Sequence, residues 1–515
     1  MLERKHIFGL PPVVLVILLM AIAKFSIHLF RAPGYGFFGD ELYTIALSKH
    51  LAFGYVDLPP LVPALMALSR ALLGESLLAM QVFPALAGSV TLIFTCLITR
   101  EFGGKTFAVA LSGLTFIAVP IWLGVHSIFC YDSIDQLVLA AFLYVLVRFL
   151  RTGERKLWLV LGTLAGIACM TKMTIPFLAP GFLVALLLSG YRRDLLTPWP
   201  WLGAVLCLLI VSPYLIWQFA NHWPSLEYWR NYAAWRVYDA SVGQYLTNIL
   251  AYMGVLLLPL WMAGLYRIFR QLDGTNYAFL GLLFFVTVAL LFALHASIRL
   301  LAELFIPLLA AGCVFVEEKL AGIRWKKAVQ IVVVAYLSVA SIFAALFTLP
   351  IVPPESLPAL METFSLVRML TVKEFKGTPS YYPLLLAGRL EWDTLVRDVA
   401  KVYHGLPPQE RAVAGIYTDM YMSAGAIDLL GPQYGLPHAV SGSLTYYLWG
   451  PGYSWDVMIV VTSKTNELAV FFEENELQPS IQRESGALIE QPNIYVCRKP
   501  KVPADVIWSS LKLYR

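Results

Sequence analysis

This sequence has little charge for its length. Only 14% of its 515 residues are Asp, Glu, Lys or Arg, against 59% hydrophobic residues and a mean hydropathy of +0.69. A soluble domain carries about 25% charged and about 45–50% apolar residues. A soluble fold has no way to hide this much apolar surface, so a bilayer is the expected solvent. Cysteine is scarce too: Cys96, Cys130, Cys169, Cys207, Cys313 and Cys497, four of them inside apolar segments. A small buried hydrophobe is the plain reading there, and the spacing suggests neither a disulfide framework nor a zinc site. Glycine-rich phosphate loops, HExxH and GxSxG are missing, as are internal repeats and low-complexity tracts. The net charge of +5 is small for the length, and no nucleic-acid partner is expected.

What is present is a series of long apolar runs. A membrane span needs about 20 mostly apolar residues. Eleven stretches qualify: 9–30, 77–99, 106–125, 134–150, 157–171, 174–189, 200–219, 243–266, 277–294, 299–316 and 328–349. The first follows Arg4 and Lys5 like a signal peptide, but it is long enough to span and no small-residue cleavage site follows it. It is expected to be retained. Lysine and arginine in the loops set the orientation. With the N-terminus inside, the inner segments hold Arg4, Lys5, Arg100, Lys105, Arg148, Arg151, Arg155, Lys156, Arg192, Arg193, Arg267, Arg270, Lys319, Arg324, Lys326 and Lys327, which is sixteen. The outer segments before residue 350 hold Arg31, Lys49, Arg70, Lys172, Arg230, Arg236 and Arg299, which is seven. Lys24 lies within the first span and is counted in neither set. An N-inside chain with eleven spans then carries its C-terminus outside.

After Leu349 the composition changes. The segment Leu349-Pro-Ile-Val-Pro-Pro354 reads as a linker between a membrane part, residues 1–350, and a soluble extracytoplasmic part, residues 351–515. In the latter, Ala412–Tyr417 and Val457–Thr462 have strand character, and 391–404, 419–430 and 465–475 have helical spacing. The expected fold is a polytopic α-helical membrane protein with a C-terminal α/β domain.

The chemistry-bearing residues lie in the outer loops. The first, 31–76, contains Gly34-Tyr-Gly-Phe-Phe-Gly-Asp40-Glu41 at the head of an amphipathic helix whose Leu42, Ile45 and Ala46 share one face. It continues through Phe53-Gly-Tyr-Val-Asp57-Leu-Pro59-Pro60. A helix start holds a carboxylate rigidly, which suits a general base. Equally, Asp40 reads as an N-cap and Glu41 as a favourable first-turn charge. The next outer loop carries Asp132 and Asp135, three apart at a helix start and so on one face. Asp135 lies at the apolar boundary, where an ionisable side chain is a functional candidate by default. Lys172, between two apolar segments, suits a lipid phosphate or a snorkelling role. Arg230 and Arg236, in an aromatic segment from Trp223 to Arg236, suit bidentate phosphate binding or an interfacial belt.

The order Gly39-Asp40-Glu41, then Gly54-Tyr-Val-Asp57-Leu-Pro59-Pro60, resembles the membrane-embedded GT-C glycosyltransferases. More closely, it resembles glycosyltransferase family 39, the bacterial relatives of protein O-mannosyltransferase and of lipid A aminoarabinose transferase. Ser133-Ile-Asp135-Gln-Leu, Leu157-Trp-Leu-Val-Leu-Gly with Thr171-Lys172, Trp223-Pro-Ser-Leu-Glu227, Gly431-Pro-Gln-Tyr-Gly-Leu-Pro437 and Tyr447-Leu-Trp-Gly-Pro451 extend the resemblance over most of the chain. The resemblance implies Asp40 as general base for the acceptor hydroxyl, with Glu41 and Asp135 beside it. It places Lys172 at the donor phosphate and Asp57 near the site, where some members hold a divalent metal. Two departures stand out. Leu58 replaces the basic or His residue before the double proline. His295-Ala-Ser297-Ile-Arg299 replaces a lysine-bearing loop, so Arg299 is the expected substitute.

The expected activity is therefore transfer of a sugar from a polyprenyl-phosphate donor to a glycan, lipid or protein acceptor, at the outer face of the cell's inner membrane. Asp132 and the three arginines count among the substrate-binding candidates. The rivals are a membrane transporter, which would place charge mid-bilayer and show repeats, and a non-catalytic lipid-binding scaffold.

Overall fold

The computed structural model describes residues 10–235, 241–270, 277–364, 382–479 and 492–515. It opens with α1 (Pro12–Leu29), α2 (Gly39–Lys49), α3 (Leu61–Leu73), α4 (Leu77–Glu101), α5 (Thr106–Ala118) and α6 (Pro120–Val125). Then come α7 (Tyr131–Thr152), α8 (Leu157–Thr171), α9 (Ile175–Leu188), α10 (Pro198–Ala220) and α11 (Pro224–Trp235). The helical body closes with α12 (Val242–Met253), α13 (Leu258–Phe269), α14 (Ala278–Ala293), α15 (Phe305–Leu320) and α16 (Lys326–Thr348). The chain is thus mostly helical, as a multi-pass membrane protein must be when lipid offers its backbone no hydrogen bonds.

All eleven apolar stretches are helical, but they are not eleven straight spans. Among the described residues six helices are long and apolar enough to cross a membrane: α1, α4, α7, α10, the run Ile298–Leu320 and α16. The expected span 243–266 is broken: α12 meets the following helical run at 87°, after Gly254 at φ 83°. The expected span 174–189 runs into the turn Gly190–Leu196 at 101°. Pro120 ends α5 and starts α6, since it cannot donate to the preceding turn, so 106–125 is two helices. Backbones approach closely where side chains are absent. A Cβ on Gly162 of α8 would lie 2.0 Å from the Gly203 carbonyl oxygen of α10.

Lys24 is fully buried in α1 rather than snorkelling. Its ammonium donates to the Trp122 carbonyl at 3.1 Å and lies 3.4 Å from His28 Nε2. Intramembrane polar groups are held by such internal partners.

Beyond α16 the chain builds a five-stranded sheet from β1 (Gly415–Thr418), β2 (Ala439–Ser441), β3 (Val457–Thr462), β4 (Phe472–Gln478) and β5 (Asn493–Pro500). The order is β2-β1-β3-β5-β4, with β2, β1 and β3 parallel and β5 antiparallel to both β3 and β4. Strands β1 and β3 are buried at every position, which is why they read as continuous apolar runs. The helical reading of 465–475 is corrected. The helix stops at Phe471, and Phe472 begins the edge strand β4, whose alternation is mostly polar and so was hidden from the pattern. Two helices of this unit, Trp392–Gly405 and Tyr421–Leu430, pack in one core with α2. The sheet unit is therefore seated directly on the first long loop.

Candidate functional site

Helix α2 carries the first two candidates, and its geometry separates them. The N-cap is Phe38, so Asp40 and Glu41 are the second and third helical residues and Asp40 is not the cap. Glu41 does the capping. Its Oε2 accepts from the Phe38 amide at 2.8 Å, and its Oε1 accepts from the Phe129 amide at 2.9 Å. It is 1% exposed, and the Arg389 guanidinium lies 3.9 Å away. With both oxygens on backbone amides, Glu41 staples α2 to the loop before α7. Asp40 faces the other way. Its Oδ1 accepts from the Tyr421 hydroxyl at 3.0 Å. Among the described residues no hydrogen bond reaches Oδ2. Burial pushes its pKa above the ordinary carboxylate value, while the Tyr421 bond and the Arg299 charge act in the opposite sense.

A second cluster forms where α7 begins and α8 ends. Asp132 and Lys172 form an ion pair. Arg299 Nη1 approaches the other Asp132 oxygen at 3.7 Å. Asp135, one turn deeper, is 2% exposed. It accepts from Thr171 Oγ1 at 2.8 Å and Thr174 Oγ1 at 2.7 Å. The Lys172 ammonium also lies 5.4 Å from the centre of the Tyr131 ring, within cation–π range. The carboxylate of Asp40 is close enough to feel Asp132 and Arg299, so the two clusters share one electrostatic neighbourhood.

Asp57 is reached through Tyr43, three residues after Asp40 on α2, and feels the Asp40 charge. It accepts from the Tyr43 hydroxyl at 2.7 Å, and burial pushes its pKa up to about 7. Among the described residues no three His, Cys, Asp or Glu side chains converge to hold a metal, so the metal option at Asp57 finds no ligand set here. Arg230 is exposed on α11, and among the described residues no ion pair ties it to the carboxylates. That helix reaches the cluster through Tyr228 instead, which packs on the same core as Tyr131 and Tyr421. Arg236 lies outside the described residues. Leu58 is buried and contributes only its carbonyl, to the Tyr55 amide at 3.2 Å.

Several members of the site escaped the sequence reading. Glu303 is 4% exposed, and its charge acts on the cluster of Asp132, Asp135 and Lys172. Its position inside the apolar stretch 299–316 was the available signal. Thr171 and Thr174 carry no signal of their own, being ordinary residues at a helix junction. Tyr421 lies 381 residues from Asp40, a distance that no local pattern bridges.

Residues 57–217 match the family model described as dolichyl-phosphate-mannose-protein mannosyltransferase. The lipid A galacturonosyltransferase RgtD of Rhizobium johnstonii is 23% identical over 332 residues, 62% of this chain and 67% of that protein. The undecaprenyl phosphate-alpha-4-amino-4-deoxy-L-arabinose arabinosyl transferase of Pseudomonas savastanoi pv. phaseolicola is 26% identical over 186 residues. That match covers 34% of this chain and 33% of the relative, so the chain matches about a third of that protein's length. Among solved structures, ArnT from Cupriavidus metallidurans bound to undecaprenyl phosphate superposes with a TM-score of 0.56 at 15% identity. The superposition covers 94% of this chain and 97% of that one, and the apo form gives 0.55. The fold is therefore that of ArnT, and residues 57–217 are similar to the dolichyl-phosphate-mannose-protein mannosyltransferase family.

Proposed function

We propose that this protein moves a sugar from a polyprenyl-phosphate donor to a hydroxyl-bearing acceptor at the outer face of the cell's inner membrane. Residues 1–350 would form the transferase body and 351–515 an extracytoplasmic unit over the site. The N-terminus and the Arg151–Lys156 loop would lie in the cytoplasm. Cysteine labelling near Gln409 in intact cells tests this map, and labelling only after permeabilisation would overturn it.

One observation carries the reading. A half-buried carboxylate, Asp40, keeps one oxygen clear of protein hydrogen bonds among the described residues, in the same electrostatic neighbourhood as Lys172 and Arg299. Glycosyl transfer needs those two things together. Asp40 takes the proton from the acceptor hydroxyl. The acceptor oxygen then attacks the anomeric carbon, and the bond from that carbon to the phosphate oxygen breaks, so the lipid phosphate leaves with the electron pair. Lys172 and Arg299 neutralise the charge that develops on it. Attack opposite the leaving group inverts the anomeric centre. Asp132 holds Lys172 and Arg299 in place, and Asp135, gripped by two threonine hydroxyls, orients substrate from below. Arg230 on α11 remains a candidate for the donor's approach, and so does Arg236, which lies outside the described residues.

Among the acceptor classes a glycolipid of the lipid A kind is favoured, since the named relatives are lipid A and undecaprenyl-phosphate sugar transferases. The test is a transfer assay with purified protein in lipid vesicles. Galacturonosyl, aminoarabinosyl and mannosyl polyprenyl-phosphate donors would be offered with lipid A. Donor-dependent release of polyprenyl phosphate and a mass increase on the acceptor are expected. Folded protein that consumes none of the three donors would overturn the reading.

A further inference from the structure

We infer that Tyr421, supplied by the C-terminal sheet unit, is a positioning residue for Asp40, so that the site is incomplete without that unit. This rests on the proposed role of Asp40 as base.

The contact is direct. The Tyr421 hydroxyl donates to Asp40 Oδ1 at 3.0 Å and leaves Oδ2 for the acceptor hydroxyl. A carboxylate on a rotatable Cα–Cβ bond needs such an anchor to present one oxygen in a fixed direction. Burial and the neighbouring Asp40 charge raise the pKa of Tyr421 well above its ordinary value. The phenol therefore keeps its proton and acts as a donor only, and it does not compete for the acceptor's proton.

The anchor itself is rigid for a packing reason. Tyr421 opens the Tyr421–Leu430 helix, which lies on α2 at backbone contact. A Cβ on Gly425 would sit 2.8 Å from the Leu42 carbonyl carbon and oxygen. One on Gly39 would sit 2.4 Å from Met422 Sδ. The Gly425 contact is with backbone, so only glycine permits that approach, whereas at Gly39 the Met422 side chain would have to move. Tyr43 locks the same interface beside Tyr421. Its ring centroid is 4.7 Å from that of Tyr421, and its hydroxyl donates to Asp57 at 2.7 Å and lies 2.9 Å from Thr445 Oγ1. The Thr445 hydroxyl in turn receives the Val56 amide at 3.1 Å. Two independent polar ties thus join the sheet unit to the loop that bears Asp40.

The decisive experiment compares Tyr421→Phe with Asp40→Asn in the full-length protein, at matched thermal stability. Phenylalanine keeps the ring and removes only the hydroxyl. Loss of one hydrogen bond to a charged group is expected to lower turnover by about tenfold, with the KM for donor little changed. The acid limb of the pH–rate profile should also move to higher pH. The Tyr421 bond favours the charged carboxylate, so without it Asp40 holds its proton to higher pH. A role in folding alone would leave that limb where it is. If Tyr421→Phe keeps the wild-type turnover or pH limb while Asp40→Asn is inactive, this inference fails and the assignment of the base stands. If Asp40→Asn turns over normally, the base assignment fails and this inference with it.

Discussion

The two ends of the helical body treat charge in opposite ways. At the end bearing Arg151, four carboxylates each have their own complement. Glu101 meets Arg151 at 2.6 Å and Arg148 at 3.9 Å. Asp194 accepts from Arg155 at 3.2 Å and from the Trp158 indole at 3.0 Å. Glu318 pairs with Arg267, which also donates to the Phe102 carbonyl at 3.0 Å. The Glu317 oxygens receive the Lys105 and Ala108 amides at the start of α5. At the end bearing α2, carboxylates crowd instead: Asp40, Asp132, Asp135 and Glu303 gather around Lys172 and Arg299. Paired charges tie helix ends together. Crowded ones raise the free energy of the empty site and are worth that cost only where a substrate completes them.

Substitutions at the crowded end should change rates, and those at the paired end should not. The largest effect is expected for Asp40→Asn, a turnover loss of about 10²-fold or more, the usual scale for removing a general base. Unfolding temperature should hold, because Asp40 does not cap α2. Asp135→Asn should cost less. In the wild type, activity should fall as pH drops through the Asp40 pKa, and that limb should lie above the ordinary Asp value of about 4 because burial raises it. A transfer assay across pH reads both; full activity in Asp40→Asn would erase the contrast between the ends.

Lys172→Ala comes next. It should weaken donor use by roughly tenfold, a typical charge-assisted contact, mainly in KM. Donor titration checks this, and an unchanged titration would leave Lys172 as a partner of Asp132 alone.

Glu41→Gln sharpens the comparison within one helix turn. A glutamine accepts only one of the two amides that Glu41 holds. Stability should drop by about 1.5–3 kcal/mol, while turnover per folded molecule falls less than in Asp40→Asn. Thermal unfolding beside the transfer assay separates these readings. The smallest effect belongs to the paired end. Arg155 is 54% exposed in its bridge to Asp194, so Arg155→Ala should change stability by under about 1 kcal/mol and leave transfer untouched. A measurable loss of transfer would mean that this end, too, handles substrate.

Apolar length was legible in the sequence because lipid imposes it residue by residue: every expected span is helical, and β1 and β3 lie inside the strand readings or one residue from them. The acidic loop was legible as well, since Gly39-Asp40-Glu41 is local and Asp132 and Asp135 share a face by helix period alone. Tertiary structure decided the rest. It divided Asp40 from its neighbour Glu41, because which way each carboxylate points depends on Phe129 and Tyr421, residues distant in the chain. It bent 243–266 at Gly254, where packing overrides apolar length. It brought Glu303 and Arg299 to Asp132 and Lys172, and it laid a sheet unit from beyond residue 400 on a helix that begins at Gly39. Those contacts join segments hundreds of residues apart, and only the packing of two helices at glycine-to-backbone distance brings them within reach of a hydrogen bond.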